Sequence, residues 1–271
     1  MLKRGLMRHF LLIIIIFLVA SCSKFRRIEK NPDWKVKYDA AMNYYENKDY
    51  YRSSILFEQI LPIIRGLPEG EKVQFYLAYA QYYQEFYLLA AHHFKTFYET
   101  YARSEFAQEA RYMRAYSLYV NSPEYNLDQT SSIEAVVSMQ NFINRYPNSE
   151  FRDDASKVID DIQQKLEKKA YENAKQYYKL EYFKAAVVAF ESFANDYPDS
   201  EFNEEISFLK FMAQYRLAEK SIYSKQEERY RKANEFYLEF LDLYPSSAYL
   251  READKKYGDS LSKLNQLAKN N

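Results

Sequence analysis

Glycine is nearly missing from this chain: there are four in 271 residues, with seven prolines. A fold of many strands and tight turns needs more of both, so long helices with short connections are expected. The single cysteine, Cys22, excludes an intrachain disulfide. Of three histidines two are adjacent, His92 and His93, and neighbours on a helix project about 100° apart, which does not suit joint chelation of one ion. No Gly-x-Ser-x-Gly elbow, His-Glu-x-x-His pair or glycine-rich phosphate loop occurs. No catalytic residue, metal ligand or cofactor site is therefore assigned, and the chain is not read as an enzyme. An excess of one charge is missing too, since 38 basic residues balance 38 acidic ones, which gives no general attraction to nucleic acid.

What the chain does have is 29 tyrosines and 19 phenylalanines, and two organised signals. The first is at the start, where Lys3, Arg4 and Arg8 precede an apolar run from Phe10 to Ala20 that stops at Val19-Ala20-Ser21-Cys22. Eleven apolar residues are too short to span roughly 30 Å of hydrocarbon. A small residue before the cysteine suits a lipoprotein signal peptidase, and the Cys22 thiol accepts diacylglycerol. Residues 1–21 are thus a signal peptide. The mature chain begins at Cys22, carrying diacylglycerol and an N-acyl chain, followed by a tether over residues 22–33. Removing the signal takes away three basic and no acidic side chains, leaving 35 against 38. The small cluster Lys24, Arg26, Arg27 is suited to lipid headgroups.

The second signal is a phrase used four times: Tyr101-Ala102-Arg103-Ser104-Glu105-Phe106, Tyr146-Pro147-Asn148-Ser149-Glu150-Phe151, Tyr197-Pro198-Asp199-Ser200-Glu201-Phe202 and Tyr244-Pro245-Ser246-Ser247-Ala248-Tyr249. Proline forbids helix continuation in three copies, and Ser stands where an N-cap opens the next helix. Between the phrases, small residues alternate with aromatics at the spacing of a tetratricopeptide repeat. These are Ala41, Tyr44, Ser53 and Phe57, then Ala78, Ala90 and Phe94, and most cleanly Ala174, Tyr177, Ala186, Phe190 and Pro198. A third pair carries Ala115, Leu118, Ala135 and Phe142 around an insertion at residues 121–130. A fifth carries Ala213, Ala233 and Phe240, with an extension at Ile222 to Glu228, and Ala248 to Leu267 caps the end. From Ser149 to Leu180 neither Gly nor Pro interrupts the pattern, which predicts one long helix coupling the pairs before and after it. The expectation is an all-α tetratricopeptide-repeat superhelix of about five helix pairs plus a C-terminal capping helix. N-terminal repeats occupy residues 34–148 and C-terminal repeats 149–271. Such arrays present surfaces to partners.

The lipobox at Cys22, the five helix pairs, Arg111-Tyr112-Met113-Arg114, Asp128-Gln129-Thr130, and the run from Tyr146-Pro147-Asn148-Ser149 to Asp154-Ala155-Ser156-Lys157 together resemble the BamD family. Ala174 to Tyr178 and Ala185-Ala186-Val187-Val188 extend the resemblance. These are the tetratricopeptide-repeat lipoproteins of the outer-membrane β-barrel assembly machinery, here in a Bacteroidetes-like version. The resemblance covers nearly the whole mature chain. It departs in the first pairs, where Leu67-Pro68-Glu69-Gly70 replaces the Tyr-Pro hinge, and in the longer fifth pair. It implies a non-enzymatic part in barrel insertion. The N-terminal repeats would bind unfolded outer-membrane proteins, and the C-terminal repeats would dock on the central barrel subunit, with other lipoproteins as further partners. Tyr79, Tyr83, Tyr112, Arg111 and Arg114, with Tyr76, Tyr82 and Tyr87, are candidates for a substrate groove in which arginine pairs a terminal carboxylate; ordinary interhelix packing is the other reading. Lys165, Lys168 and Lys169 are a candidate partner dock or a solvated face. The basic run after Cys22 accords with the periplasmic face of the outer membrane. The alternative is another lipid-anchored repeat scaffold, for envelope coordination or glycan uptake.

Overall fold

The computed structural model describes residues 24–269; Cys22 and the signal segment 1–21 lie outside them. The helices are α1 (Trp34–Glu46), α2 (Tyr50–Ile60), α3 (Pro68–Tyr83), α4 (Tyr87–Thr100), α5 (Ala107–Val120), α6 (Thr130–Arg145), α7 (Arg152–Lys179), α8 (Phe183–Asp196), α9 (Asn203–Glu219), α10 (Tyr223–Leu243) and α11 (Leu250–Lys269). Among the described residues there is no strand. The helices form five pairs, α1/α2 through α9/α10, and α11 packs on the last of them. The architecture is thus an all-α tetratricopeptide-repeat array of five pairs and a capping helix.

Small residues make the pairs possible. Ala41 and Ser53, Ala78 and Ala90, Ala115 and Ala135, Ala174 and Ala186, and Ala213 and Ala233 are all buried. Without bulk beyond Cβ, neighbouring helix axes can approach at the near end of the usual 8–10 Å. In the first pair the Ser53 hydroxyl, buried and needing a partner, donates to the Ala41 carbonyl at 3.0 Å. Large side chains fill the space around these seams: Phe57, Phe94, Phe190 and Phe240 are fully buried, each contributing roughly 1.5–3 kcal/mol.

Within three pairs the turn is three residues long and its middle residue is left-handed without being glycine: Lys48 (φ 60°), Glu85 (φ 65°) and Glu181 (φ 60°). The next amide closes each turn on a carbonyl five residues back, Asp49 on Tyr44 (2.8 Å), Phe86 on Gln81 (3.0 Å) and Tyr182 on Tyr177 (2.9 Å). Between pairs, the repeated phrase has one geometry. The Tyr amide bonds the carbonyl of the Phe four residues back, and the Ser amide bonds the Tyr carbonyl at 3.0–3.2 Å. The Ser hydroxyl accepts from the amide of the aromatic two residues on, at 3.0 Å for Ser104 and 3.2 Å for Ser149. The corresponding distances are 3.1 Å for Ser200 and 3.1 Å for Ser247. Ser is therefore not the N-cap the sequence suggests. It shapes the turn ahead of the helix, and in two copies the cap position falls to Phe106 and Phe202.

That aromatic stacks on the first helix of the preceding pair in every copy. Phe106 lies on Phe75 (4.6 Å), Phe151 on Tyr112 (4.7 Å), Phe202 on Tyr171 (4.1 Å) and Tyr249 on Phe208 (4.8 Å). The first connection between pairs lacks the phrase. There Gly66 takes φ 90° and Gly70 lets the Ile64 carbonyl approach so closely that a Cβ would sit 2.6 Å from its oxygen.

Two compact units result, one reaching to Pro123 and including Leu127–Ile162, the other comprising Glu124–Asn126 and Gln163–Asn271. The long helix α7, expected over 149–180, runs Arg152–Lys179 and contributes to both. Three local expectations change. Residues 24–29, read as tether, are helical, because Phe25 and Ile28 pack on the core of the first pair and Phe25 meets Tyr44 edge-on at 5.8 Å. The extension from Ile222 to Glu228 lengthens a helix rather than the connection, since α10 starts at Tyr223. Tyr177 is exposed, and its neighbour Tyr178 takes the packing position.

Candidate functional site

In the first unit, α3 and α5 place tyrosines on one face at helical spacing: Tyr76, Tyr79 and Tyr83, then Tyr112, Tyr116 and Tyr119. They touch in a chain. Tyr79 stacks on Tyr83 at 5.8 Å and Tyr83 on Tyr50 of α2 at 4.5 Å, while Tyr82 meets Tyr87 at 5.5 Å. Tyr82 also reaches Tyr116 at 6.4 Å, and Tyr116 contacts Tyr112 (5.6 Å) and Tyr119 (5.7 Å). Tyr83 is exposed and Tyr112 buried, so the strip is part platform and part packing.

Carboxylates punctuate it. The Tyr79 hydroxyl donates to Glu109, and the Tyr119 hydroxyl donates to Asp161 Oδ2 at 2.5 Å. Burial first, then the Glu109 hydrogen bond, raises the Tyr79 hydroxyl well above its ordinary range. The Asp161 bond, then burial, pushes Tyr119 up to about 12. Tyr112, Tyr116 and Tyr119 with Asp154, Lys157 and Asp161 line a groove of about 440 Å³.

The arginines do not join the tyrosines. Arg111 lies over the Tyr98 ring at 4.0 Å, and Arg114 bonds Glu134 and Ser138 of α6. Tyr98, Arg111, Arg114 and Ser138 line a separate small cavity of about 100 Å³. A step of one residue along α5, about 100° of rotation, parts Arg111 from Tyr112. The predicted groove of Tyr79, Tyr83, Tyr112, Arg111 and Arg114 is thus divided between two faces. Tyr116 and Tyr119 were missed, although their spacing of four and seven residues from Tyr112 was the available signal.

In the second unit the predicted lysine stripe is engaged internally. Lys168 pairs with Glu172 at 3.2 Å and lies over Tyr171 and Phe202, and Lys169 donates to the Tyr125 carbonyl at 3.2 Å, fastening the inserted loop. Lys165 is partly buried. A larger feature is an open groove of about 950 Å³ whose lining includes Tyr177, Tyr182, Ala185, Val188 and Leu217, rimmed by Lys184 and by Lys220, which pairs with Glu181 at 2.5 Å. Tyr182 and Val188 are 63% and 61% exposed, high for such side chains. Its signal is legible in α8, where Phe183 to Phe190 is apolar nearly all round, as in a helix covered on both sides.

Among the described residues no group of three metal-ligating side chains occurs, and no helix is long and apolar enough to cross a membrane. His92 and His93 rings are 5.8 Å apart and steeply inclined.

The array of five helix pairs and a cap defines a scaffold of the tetratricopeptide-repeat class. The chain belongs to the YfiO family of outer-membrane lipoproteins, whose model matches residues 31–188 and 164–269. It is accordingly an outer-membrane protein held by a lipid anchor. No curated protein matches it. It is similar to a putative kinesin light chain of Podosopora anserina with nearly identical TPR-like repeats, at 15% identity and a TM-score of 0.33, over 84% of this chain and 95% of that one. It is likewise similar to the apo form of RapI, at 15% identity and a TM-score of 0.35, over 94% of this chain and 93% of that one. The repeat assignment rests on the helix pairs and buried alanines, not on these two.

Proposed function

We propose that this lipoprotein is a non-enzymatic scaffold facing the periplasm, part of the outer-membrane β-barrel assembly machinery. Membership of the YfiO family carries the reading. The tyrosine strip of the first unit receives unfolded barrel proteins, whose strands alternate apolar and polar side chains and carry aromatic residues at their ends. The apolar groove of the second unit, around Tyr182 and Val188, docks the central barrel subunit; interfaces of that kind are apolar at the centre with a charged rim. The candidate dock accordingly moves from Lys165, Lys168 and Lys169 to the groove, since Lys168 and Lys169 serve the fold.

The test is a tagged pull-down from mildly solubilised membranes, with mass spectrometry of what co-purifies, for wild type and Val188→Glu. Stoichiometric recovery of a large barrel protein with repeated periplasmic domains, lost in the variant, is the expected result. Recovery of envelope-coordinating or nutrient-uptake proteins in its place overturns the assembly role and leaves a repeat scaffold of another pathway.

A further inference from the structure

Two carboxylates of the tyrosine strip, Glu109 and Asp161, are held by tyrosine hydroxyls. Among the described residues, no Lys, Arg or His pairs with Glu109 or Asp161; each accepts a tyrosine hydroxyl instead. Glu109 acts electrostatically on Tyr45, Tyr79 and Tyr83 together, which places it amid three rings. Where the strip continues between α5 and α7, the one base, Lys157, is neutralised by Asp154 at 2.9 Å. Arg111 and Arg114, which a terminal carboxylate would need, face Tyr98 and α6.

From this charge pattern we infer that the strip selects segments carrying lysine or arginine beside aromatic residues, and recognises them by side chains without reading a C-terminal carboxylate. This deepens the proposed role of the first unit and rests on it for the identity of the client. An aromatic ring and a carboxylate side by side are the two groups that attract an ammonium or guanidinium best, one through its quadrupole and one through its charge. Glu109 is partly buried and Asp161 exposed, and two negative charges on the strip favour a cation and repel a bare carboxylate end. A neutral glycan could stack on the rings but would gain nothing from unpaired carboxylates.

The experiment uses the full mature protein in mild detergent and three fluorescein-labelled octapeptides of alternating charged and aromatic residues. One carries Lys and a C-terminal amide, one Lys and a free acid, one Glu and an amide. Both Lys peptides should bind alike, and at least about tenfold tighter than the Glu peptide. Glu109→Gln keeps the acceptor for Tyr79 and Asp161→Asn is on the surface, so both variants should fold with unchanged circular dichroism. Each should weaken Lys-peptide binding about fivefold to tenfold, the loss expected for one cation contact. Preference for the free acid, equal binding of the Glu peptide, unchanged affinity in both variants, or displacement by a neutral oligosaccharide but not by unlabelled Lys peptide would each overturn the inference. The readout uses synthetic peptides, so it stands or falls separately from the pull-down.

Discussion

Phe202 lies flat on Tyr171, ring centroids 4.1 Å apart and planes inclined by 19°, so that the turn after one helix pair is clamped to the first helix of that same pair. Lys168 covers the stack at 4.8 Å and 4.9 Å from the two rings. The Tyr171 hydroxyl bonds Glu205, which Lys175 also holds at 2.7 Å. Stacked pairs contribute about 0.5–1.5 kcal/mol beyond their burial. Phe202→Ala should therefore cost about 2–4 kcal/mol by urea unfolding, and Phe202→Tyr under about 1.5 kcal/mol. Equal effects of the two would show that volume at this site, and the stack with it, matters little.

Glu85 occupies the left-handed region; its amide bonds the Tyr82 carbonyl at 2.9 Å, but among the described residues no hydrogen bond or ion pair of its side chain repays the strain. A non-glycine residue there costs of order 1 kcal/mol. Glu85→Gly should stabilise the protein by about 0.5–1 kcal/mol, read as a raised urea midpoint. A lowered midpoint would mean that the turn is held by something beyond its backbone.

His93 is driven down to about 4 from 6.5, by burial first and then by His92. The unfolded chain binds a proton between those values and the folded chain does not, so stability contributed by this group is full above pH 6.5 and declines toward pH 4. The wild type should lose more stability than His93→Gln between pH 7 and pH 5. Parallel losses in urea titrations at both pH values would remove His93 from the acid response.

Cys22→Ala should leave a soluble or unprocessed precursor, seen by fractionation and by the mass of the N-terminal fragment. Normal processing with retained membrane attachment would defeat the lipid anchor.

The helix pairs were legible because their determinants are local: alanine at the seams, aromatics four residues before each stop, proline or serine in the turn. The site was less so. Position along the sequence puts Arg111, Tyr112 and Arg114 together, whereas rotation about α5 and the pull of Glu134 on Arg114 part them. Lys169 looked like surface charge until the inserted loop brought the Tyr125 carbonyl to it. Phe25 in the expected tether found a partner in Tyr44, and Arg52 lies over both rings at 5.7 Å. These are tertiary facts, set by which surfaces meet and carried by no local propensity.

The most direct test of the two-faced scaffold is site-specific photocrosslinking in living cells, with the crosslinker at Tyr83 or Tyr116 in the first unit and at Tyr182 or Val188 in the second. The account predicts a ladder of nascent barrel proteins from the first pair of sites and one large, constant barrel partner from the second. The same partner from all four sites, or none of barrel type from any, would contradict it.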